Sequence, residues 1–472
     1  CLFFGPSWYY LLAPFALLGQ FNPLYSVISM VILVLLQMYL VYRYFNLESA
    51  AIIGFSGFWI MISRSAWNPY PMTLLSIIIL ILLLKQLKLK KIDNKLLAGL
   101  ALTASFGFHF SSAFAIFYPI IIALVLLIFK FKPNFKNILV AVGSFTIPFI
   151  PQIIFELRNN FPQTKAISQY FSSGESDAFG LEKIKNVLNV TFGEFKIILF
   201  ESPVESPKVL SQIILYLVLF FILSSIYFVF KDKNAGSVTA ANNKQAKTDY
   251  LQIKNIFIIS LIFIFVPVFG FIFLHFNVWD VYPLIPVVTR LLGSLVHKLP
   301  KLLSVAFILL YIVFSLSRLN YYLTAEKSVF LNDTVHYPVK EKIVDYIRED
   351  AGNRDFSVYT YMPDIYDFPY QYLFLTQGLK GQDLPLEFAY EPGVPTYVRE
   401  KKDILNVIDS KYGERWRGTP KVIYYIVTDK SDSELLNNWW GRQSYEEITV
   451  EKEFGERIVV YTATPKKEIL GK

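Results

Sequence analysis

One cysteine in 472 residues, Cys1, excludes an intrachain disulfide framework and any cysteine-based zinc site. Charge is scarce too: Asp, Glu, Lys and Arg make up 17% of the chain, against about 25% in soluble domains. That is too little to solvate one large globular surface. The four histidines, His109, His275, His297 and His336, are scattered and form no ligand set. The chain has no G-x-x-x-x-G-K-S/T phosphate loop, no G-x-G-x-x-G after a strand and no H-E-x-x-H. The Asp-x-Asp arrangement of enzymes that use nucleotide sugars is also missing. Nothing calls for ATP, NAD, hydrolytic zinc or any other cofactor, and no metal is expected. No charged segment precedes an opening apolar run, so no signal peptide is read.

What the chain has in quantity is grease. Hydrophobic residues are 54% and aromatic residues 17%, and the mean hydropathy is +0.43. Residues 1–323 hold 25 Lys and Arg against 12 Asp and Glu, whereas residues 324–472 hold 20 against 25. The basic excess therefore sits in the apolar two-thirds, and the tail is mildly acidic. A pI near 9.1 in that arrangement does not indicate nucleic acid. It indicates a polytopic α-helical membrane bundle over 1–323, followed by a small soluble α/β domain over 324–472.

A bilayer core ~30 Å thick needs roughly 20 apolar residues per helix. Ten spans are expected: 24–45, 48–63, 71–89, 96–108, 111–129, 137–155, 209–230, 254–275, 281–297 and 301–323. The fourth and fifth share one short run and read either as two spans or as a re-entrant hairpin. Residues 1–23 read as a juxtamembrane, interfacial segment. The loops after the odd-numbered spans carry 16 of the 25 basic residues of this part, from Arg43 to Lys301. By the positive-inside rule those loops are cytoplasmic. Loops 64–70, 156–208 and 276–281 then lie outside with the C-terminal domain. The stretch 231–253, rich in Asn, Ala, Lys and Ser, reads as a flexible cytoplasmic linker. In the tail, "VKEKIVDYIRED" has helical spacing, "FSVYTYM" and "VIYYIVTD" read as strands, and "ITVEKEFGERIVVYTAT" as a hairpin turning at Phe454-Gly455.

Polar residues gather on the outer rim. "SRSAWNPYPM" places Arg64, Asn68 and Tyr70 in a loop fixed by two prolines, where amphipathic side chains can pack on a sugar. The same residues also suit an ordinary turn in an aromatic belt. "FGFHFSSAF" holds His109, either a site residue or a hydrogen-bonded packing residue. Glu156 and Arg158 in "FELRNNFP" can position an acceptor hydroxyl or a phosphate, or pair with each other. "FNVWDVYPLIPVVTR" brings Asp280 and Tyr282 to the outer mouth, with Arg290 about two turns deeper. An intramembrane arginine is costly, so it marks either a function or a buried ion pair.

Taken in order, these segments resemble the C-type glycosyltransferases, and within them the bacterial branch of protein O-mannosyltransferases and lipid A aminoarabinose transferases. "FFGPSWYYLLAPFALLGQFNP" is similar to the end of that family's first external loop. "SRSAWNPYPM", "GFHFSSAFAIFYP", "FELRNNFP" and "WDVYPLIP" are similar to its later rim motifs. The resemblance implies transfer of a sugar from a polyprenyl-phosphate donor to an acceptor at the outer membrane face, with inversion. It makes Arg64, Asn68, Tyr70, His109, Glu156, Arg158, Asp280, Tyr282 and Arg290 candidate substrate-binding residues. The partners it implies are a lipid-linked sugar, an acceptor (protein, lipid or glycan) and the membrane. It also implies a catalytic acid in the first external loop, upstream of Cys1: either the sequence has lost one span and that carboxylate, which is the favoured expectation, or the chain lacks the base. Gly5 stands where the aminoarabinose transferases carry a basic residue.

A second reading is a non-enzymatic transporter of lipid-linked glycans, or a membrane scaffold with an external binding domain. A conduit needs polar residues through its whole depth, and deep stretches such as 31–41 and Leu74–Leu84 are almost bare of them. On the transferase reading, Arg64→Ala in the full-length protein is expected to abolish transfer from a polyprenyl-phosphate sugar while expression persists. Unchanged turnover would remove Arg64 from the site.

Overall fold

The computed structural model describes residues 5–89, 91–172, 180–200, 244–329, 337–362, 368–393, 401–412, 419–428, 433–443, 445–454 and 457–466. The chain divides into two compact units, Cys1–Leu319 and Asn320–Lys472.

The first unit is helical throughout its described residues. It comprises α1 (Ser7–Leu18), α2 (Pro23–Tyr44), α3 (Leu47–Phe55), α4 (Gly57–Arg64), α5 (Pro71–Leu87), α6 (Asn94–Gly107) and α7 (Ser112–Ala115). These are followed by α8 (Phe117–Ile128), α9 (Phe135–Thr146), α10 (Ile150–Arg158), α11 (Pro162–Ser172) and α12 (Leu181–Phe200). Helices α13 (Lys244–Phe271), α14 (Ile285–His297) and α15 (Lys301–Val329) complete it. Local chemistry sets the boundaries. Asn22 caps α2 by accepting the Leu24 N–H, with Pro23 at the first helical position. Asp93 caps α6 by accepting the Lys95 and Leu96 N–H groups. The span expected at 48–63 is two helices, because Ser56 is extended (φ −68°, ψ 132°) and Gly57 restarts the helix. Pro148 and Pro151 tighten the chain between α9 and α10 into a 3-10 turn, Ile147–Phe149.

Helix α5 is the axis of this unit. Apolar nearly all round, it is the kind of helix that must be buried on every side. Met72, Leu75, Ile79, Leu80 and Leu83 enter a core shared with α6, α8 and α13. Ile77 and Ile81 enter a second core with α2, α3 and α4. One buried polar group beside α5 is matched: the Tyr118 hydroxyl donates to the Met72 carbonyl at 3.0 Å and lies within hydrogen-bond distance of Ser76 Oγ at 2.9 Å.

Among the described residues, two helical stretches are long and apolar enough to cross a membrane, Pro23–Tyr44 and Phe135–Arg158. Shorter apolar helices lie at Ser7–Leu18, Pro71–Leu87, Ser112–Ile128, Asn255–Phe271 and Lys301–Leu316. On α2 the stripe opposite the core exposes Leu24, Ile28, Ile32, Leu35 and Tyr39. On α9 and α10 Ile138, Leu139, Val142, Ile150 and Ile154 are exposed. Faces of that extent suit hydrocarbon rather than water.

Within the external loop expected over 156–208, the described residues form α11 and α12. One expectation needs correction. The linker expected over 231–253 ends early, because α13 starts at Lys244: "KQAKTDYLQ" is rich in good helix formers. The span expected at 209–230 lies outside the described residues.

The second unit carries a five-stranded sheet in the order β2-β1-β3-β5-β4. Its elements are α16 (Tyr337–Ala351), β1 (Phe356–Tyr361), α17 (Phe368–Leu379), β2 (Phe388–Ala389), α18 (Lys401–Tyr412), β3 (Val422–Thr428), α19 (Ser433–Trp440), β4 (Tyr445–Phe454) and β5 (Ile458–Pro465). β1 is parallel to β2 and β3, whereas β5 runs antiparallel to β3 and β4. Alternation along the strands builds two cores. Phe356, Val358, Val422, Tyr424, Ile426, Ile458 and Val460 pack with α16, α17 and α18. Tyr359, Tyr361, Ile423, Tyr425 and Val427 pack on Trp439 of α19. The outer strand β4 is exposed along its length and carries Glu446, Glu447, Glu451, Lys452 and Glu453, charges that blunt an open sheet edge.

Close helix packing in the first unit turns on Gly293 of α14, where a Cβ would meet Ser49 Oγ at 2.1 Å and the Ser49 backbone at 2.6 Å. Gly143 of α9 has open space beside it. Gly293→Ala is expected to lower the thermal midpoint of the purified protein, by roughly 1–3 kcal/mol in stability. Gly143→Ala is expected to leave it unchanged or raise it by up to about 1 kcal/mol. Thermal unfolding of both variants in one detergent checks the pair.

Candidate functional site

The loop between α4 and α5 and the 3-10 turn Val278–Leu284 meet at the end of the bundle that the charge pattern assigns to the outer face. Pro69 and Pro71 deny the loop a helix, and Asn277 with Asp280 forms a reciprocal cap that starts the turn. Between them stands an aromatic wall. Trp67 contacts Tyr70, Trp279 and Tyr282 with centroids 5.5, 5.6 and 6.0 Å apart. Tyr282 also meets Tyr70 at 6.1 Å and Phe58 at 5.1 Å. Edge-to-face packing of this kind holds the rings rigidly; Trp279 stays exposed, whereas Tyr70 is buried. Tyr282 is half-buried, and Tyr70 accepts from Ser65 Oγ at 3.3 Å.

Asn68 fastens the loop rather than facing outward: its Nδ2 donates to the Phe110 carbonyl at 2.7 Å. His109 is fully buried. Its Nδ1 lies 3.0 Å from Ser7 Oγ, and the rings of Phe106 and Phe149 flank it. A Cβ on Gly5 would lie 2.2 Å from that nitrogen, so only glycine lets the chain pass over the imidazole. Burial pushes the His109 pKa down, which favours the neutral ring. The packing alternative fits this residue: it clamps the segment before α1 to the turn after α6.

Glu156 and Arg158 do not pair. The Glu156 carboxylate accepts the Gln163 N–H at 3.0 Å, the Thr164 N–H at 2.9 Å and the Thr164 hydroxyl at 2.7 Å. It therefore closes the tight turn, with positive φ at Asn160 and Phe161, that leads into α11. Arg158 is exposed. These contacts join Glu156 to α11, not to the aromatic wall. Arg290 is also elsewhere. Its guanidinium sits 4.4 Å above the ring of Phe45, the residue that ends α2 at the far end from Pro23. Its Nε and Nη1 are buried with no hydrogen-bond partner. Arg64 closes α4 and is exposed beside the wall loop.

Asp280 is 1% exposed. Its Oδ2 accepts the Asn277 N–H at 2.9 Å, and its Oδ1 is buried without a partner. Burial pushes its carboxyl up to about 6, against the opposing pull of the Asn277 hydrogen bond and of His275.

Three residues at this end escaped the sequence reading: Phe58, Trp279 and Glu194. Glu194 shares the stripe of α12 that buries Val187 and Thr191, and its charge acts on the Tyr282 phenol. The spacing 187, 191, 194 was the signal available for it, hidden while 156–208 read as a loop. Among the described residues no three His, Cys, Asp or Glu come close enough to hold a metal ion.

No family model matches the chain, and no curated protein matches it in sequence. Solved structures do match it in fold. ArnT from Cupriavidus metallidurans bound to undecaprenyl phosphate has a TM-score of 0.54 at 12% identity, covering 98% of this chain and 88% of that one. The apo state of the same protein gives 0.54 at 11%, covering 99% and 88%. The likeness is one of fold, over a helical bundle and an α/β domain.

Because the folded Asp280 holds its proton more tightly than an ordinary aspartate, its contribution to stability is full below about pH 4 and is lost as pH rises through about 6. The loss is of order 3 kcal/mol. Asp280→Asn is expected to flatten the fall in thermal midpoint between pH 4 and 7, and a pH scan of both proteins checks it.

Proposed function

We propose that this chain, which has the C-type glycosyltransferase fold of ArnT, is a membrane glycosyltransferase. It moves a sugar from a polyprenyl-phosphate donor to an acceptor at the outer face, with inversion at the anomeric carbon. The observation that carries the reading is the wall of Trp67, Tyr70, Trp279 and Tyr282, built from two distant loops at one end of a fold matched over 98% of the chain. The solved ArnT was bound to undecaprenyl phosphate, a molecule of the chemistry that donor leaves behind.

The residues divide the work by their chemistry. Aromatic faces take the apolar face of a pyranose or the first isoprene units. The Tyr282 hydroxyl and the Arg64 guanidinium are hydrogen-bond donors suited to a phosphate whose charge grows as its bond to the sugar breaks. The apolar stripes of α2, α9 and α10 leave the polyprenyl chain in hydrocarbon. An activated phosphate leaving group needs no nucleotide.

The test is turnover by the purified protein in lipid nanodiscs, given a radiolabelled polyprenyl-phosphate sugar and candidate acceptors. Label is expected to move to an acceptor, and Tyr282→Phe is expected to lower kcat by about 10-fold or more through loss of one donor in the transition state. Movement of intact lipid-linked sugar between leaflets, with no label on any acceptor, would replace the transferase with a transporter.

A further inference from the structure

Helix α5 starts beside the aromatic wall at Pro71 and ends in a basic turn with Lys85. A second polar centre lies toward that other end of the bundle. Arg290 of α14 is 6% exposed, and its guanidinium sits 4.4 Å above the ring of Phe45, which closes α2. Its Nε and Nη1 are buried and find no hydrogen-bond partner among the described residues, whereas Nη2 is not sealed off in this way. The face of a ring attracts a cation, but it gives the five N–H donors of a guanidinium no oxygen to bond. A buried charge left in that state is strongly unfavourable unless something brings it an anion.

The acids nearby are engaged elsewhere. Helix α14 packs on α3, α5, α12, α13 and the Val278–Leu284 turn. Glu48 of α3 lies 3.0 Å from His297 Nδ1, about two turns along α14 from Arg290, and accepts from Ser304 Oγ at 3.5 Å. Asp280 is held in its cap at the opposite end of α14. Helix α5 carries no acid at all. Neither Glu182 nor Glu194 of α12 bonds to the guanidinium.

The residues around Phe45 are positive instead. Lys85 Nζ lies 4.4 Å over the neighbouring Tyr44 ring and donates to its hydroxyl at 3.4 Å, and Arg43 lies 5.9 Å from the same ring. Both cations are exposed. The charge pattern assigns this end to the cytoplasm, and a basic rim there draws anionic headgroups. Beside it, Leu35, Leu36, Tyr39 and Tyr42 leave the last turns of α2 exposed and apolar, a surface on which acyl chains can lie.

We propose that Arg290, behind the rim of Arg43 and Lys85, forms a phosphate-binding site at the cytoplasmic end, occupied by the headgroup of an anionic membrane lipid. The phosphate oxygens accept from the planar guanidinium, which suits them better than a point charge does. Lys85 and Arg43 gather the lipid at the surface, and its chains follow α2. The site is separate from the aromatic wall, and no step of sugar transfer enters the argument.

The experiment uses the full-length protein purified in lipid-free detergent. It is titrated with dioleoyl phosphatidylglycerol, with dioleoyl phosphatidylcholine or with inorganic phosphate. Bound lipid is counted by native mass spectrometry, and the thermal midpoint is followed in parallel. The variants are Arg290→Met, Arg290→Lys and, as control, Lys136→Gln, an exposed lysine at the start of α9. The parent is expected to bind phosphatidylglycerol about 10-fold more tightly than phosphatidylcholine, with a midpoint that rises as the lipid is added. Arg290→Met is expected to lose that preference and, freed of an unpaired buried charge, to keep or raise the midpoint in detergent alone. Arg290→Lys should recover part of the binding, and Lys136→Gln should match the parent. The proposal is overturned if Arg290→Met binds phosphatidylglycerol like the parent. It is also overturned if Arg290→Met lowers the midpoint in detergent alone, which would make Arg290 a packing partner of Phe45. A response to inorganic phosphate in place of phosphatidylglycerol would overturn the lipid as occupant.

Discussion

The packing of Tyr282 against Phe58, Trp67 and Tyr70 is the contact on which the candidate site depends. Residues more than 200 positions apart meet there. Aromatic rings can do this because each buries a large area with few torsions to freeze, and because edge-to-face contacts fix ring orientation as well as distance. The Asn68 bond to the Phe110 carbonyl tethers the 63–72 loop as well.

The lock can form because of the scaffold behind it. Helix α5, buried on two sides, holds the base of one loop, and α14 approaches α3 closely through Gly293 to hold the base of the other. Prolines at the helix starts, Pro71 in α5 and Pro286 in α14, place both helix ends at defined points. Polar groups around the wall mostly serve geometry. Asn68, His109 and Glu156 each fasten one segment to another, whereas Tyr282 and Glu194 are half-buried and Arg64 is exposed.

Sequence similarity is nearly silent here, at 12% identity to a protein of the same fold. The fold tolerates this because a helix in hydrocarbon asks mainly for apolar residues and satisfied backbone groups. Many sequences meet that demand. The rim is more exacting, since loops there must turn, cap and meet, and it was the rim segments that carried the family resemblance.

The helical bundle and the α/β tail followed from composition, because burial in an apolar medium leaves long-range statistical marks on a chain. The alternation in β1 and β3 was likewise open to reading, being local and of period two. Which rim residues face each other was not. His109 and Glu156 look like chemistry in one dimension and prove to be fastenings in three; Arg290 ends over Phe45, away from the wall. Glu194 looked like one more charge in a loop, until α12 folded back onto the turn that bears Tyr282. Helix spacing shows which residues share a face, but only tertiary packing decides what that face meets.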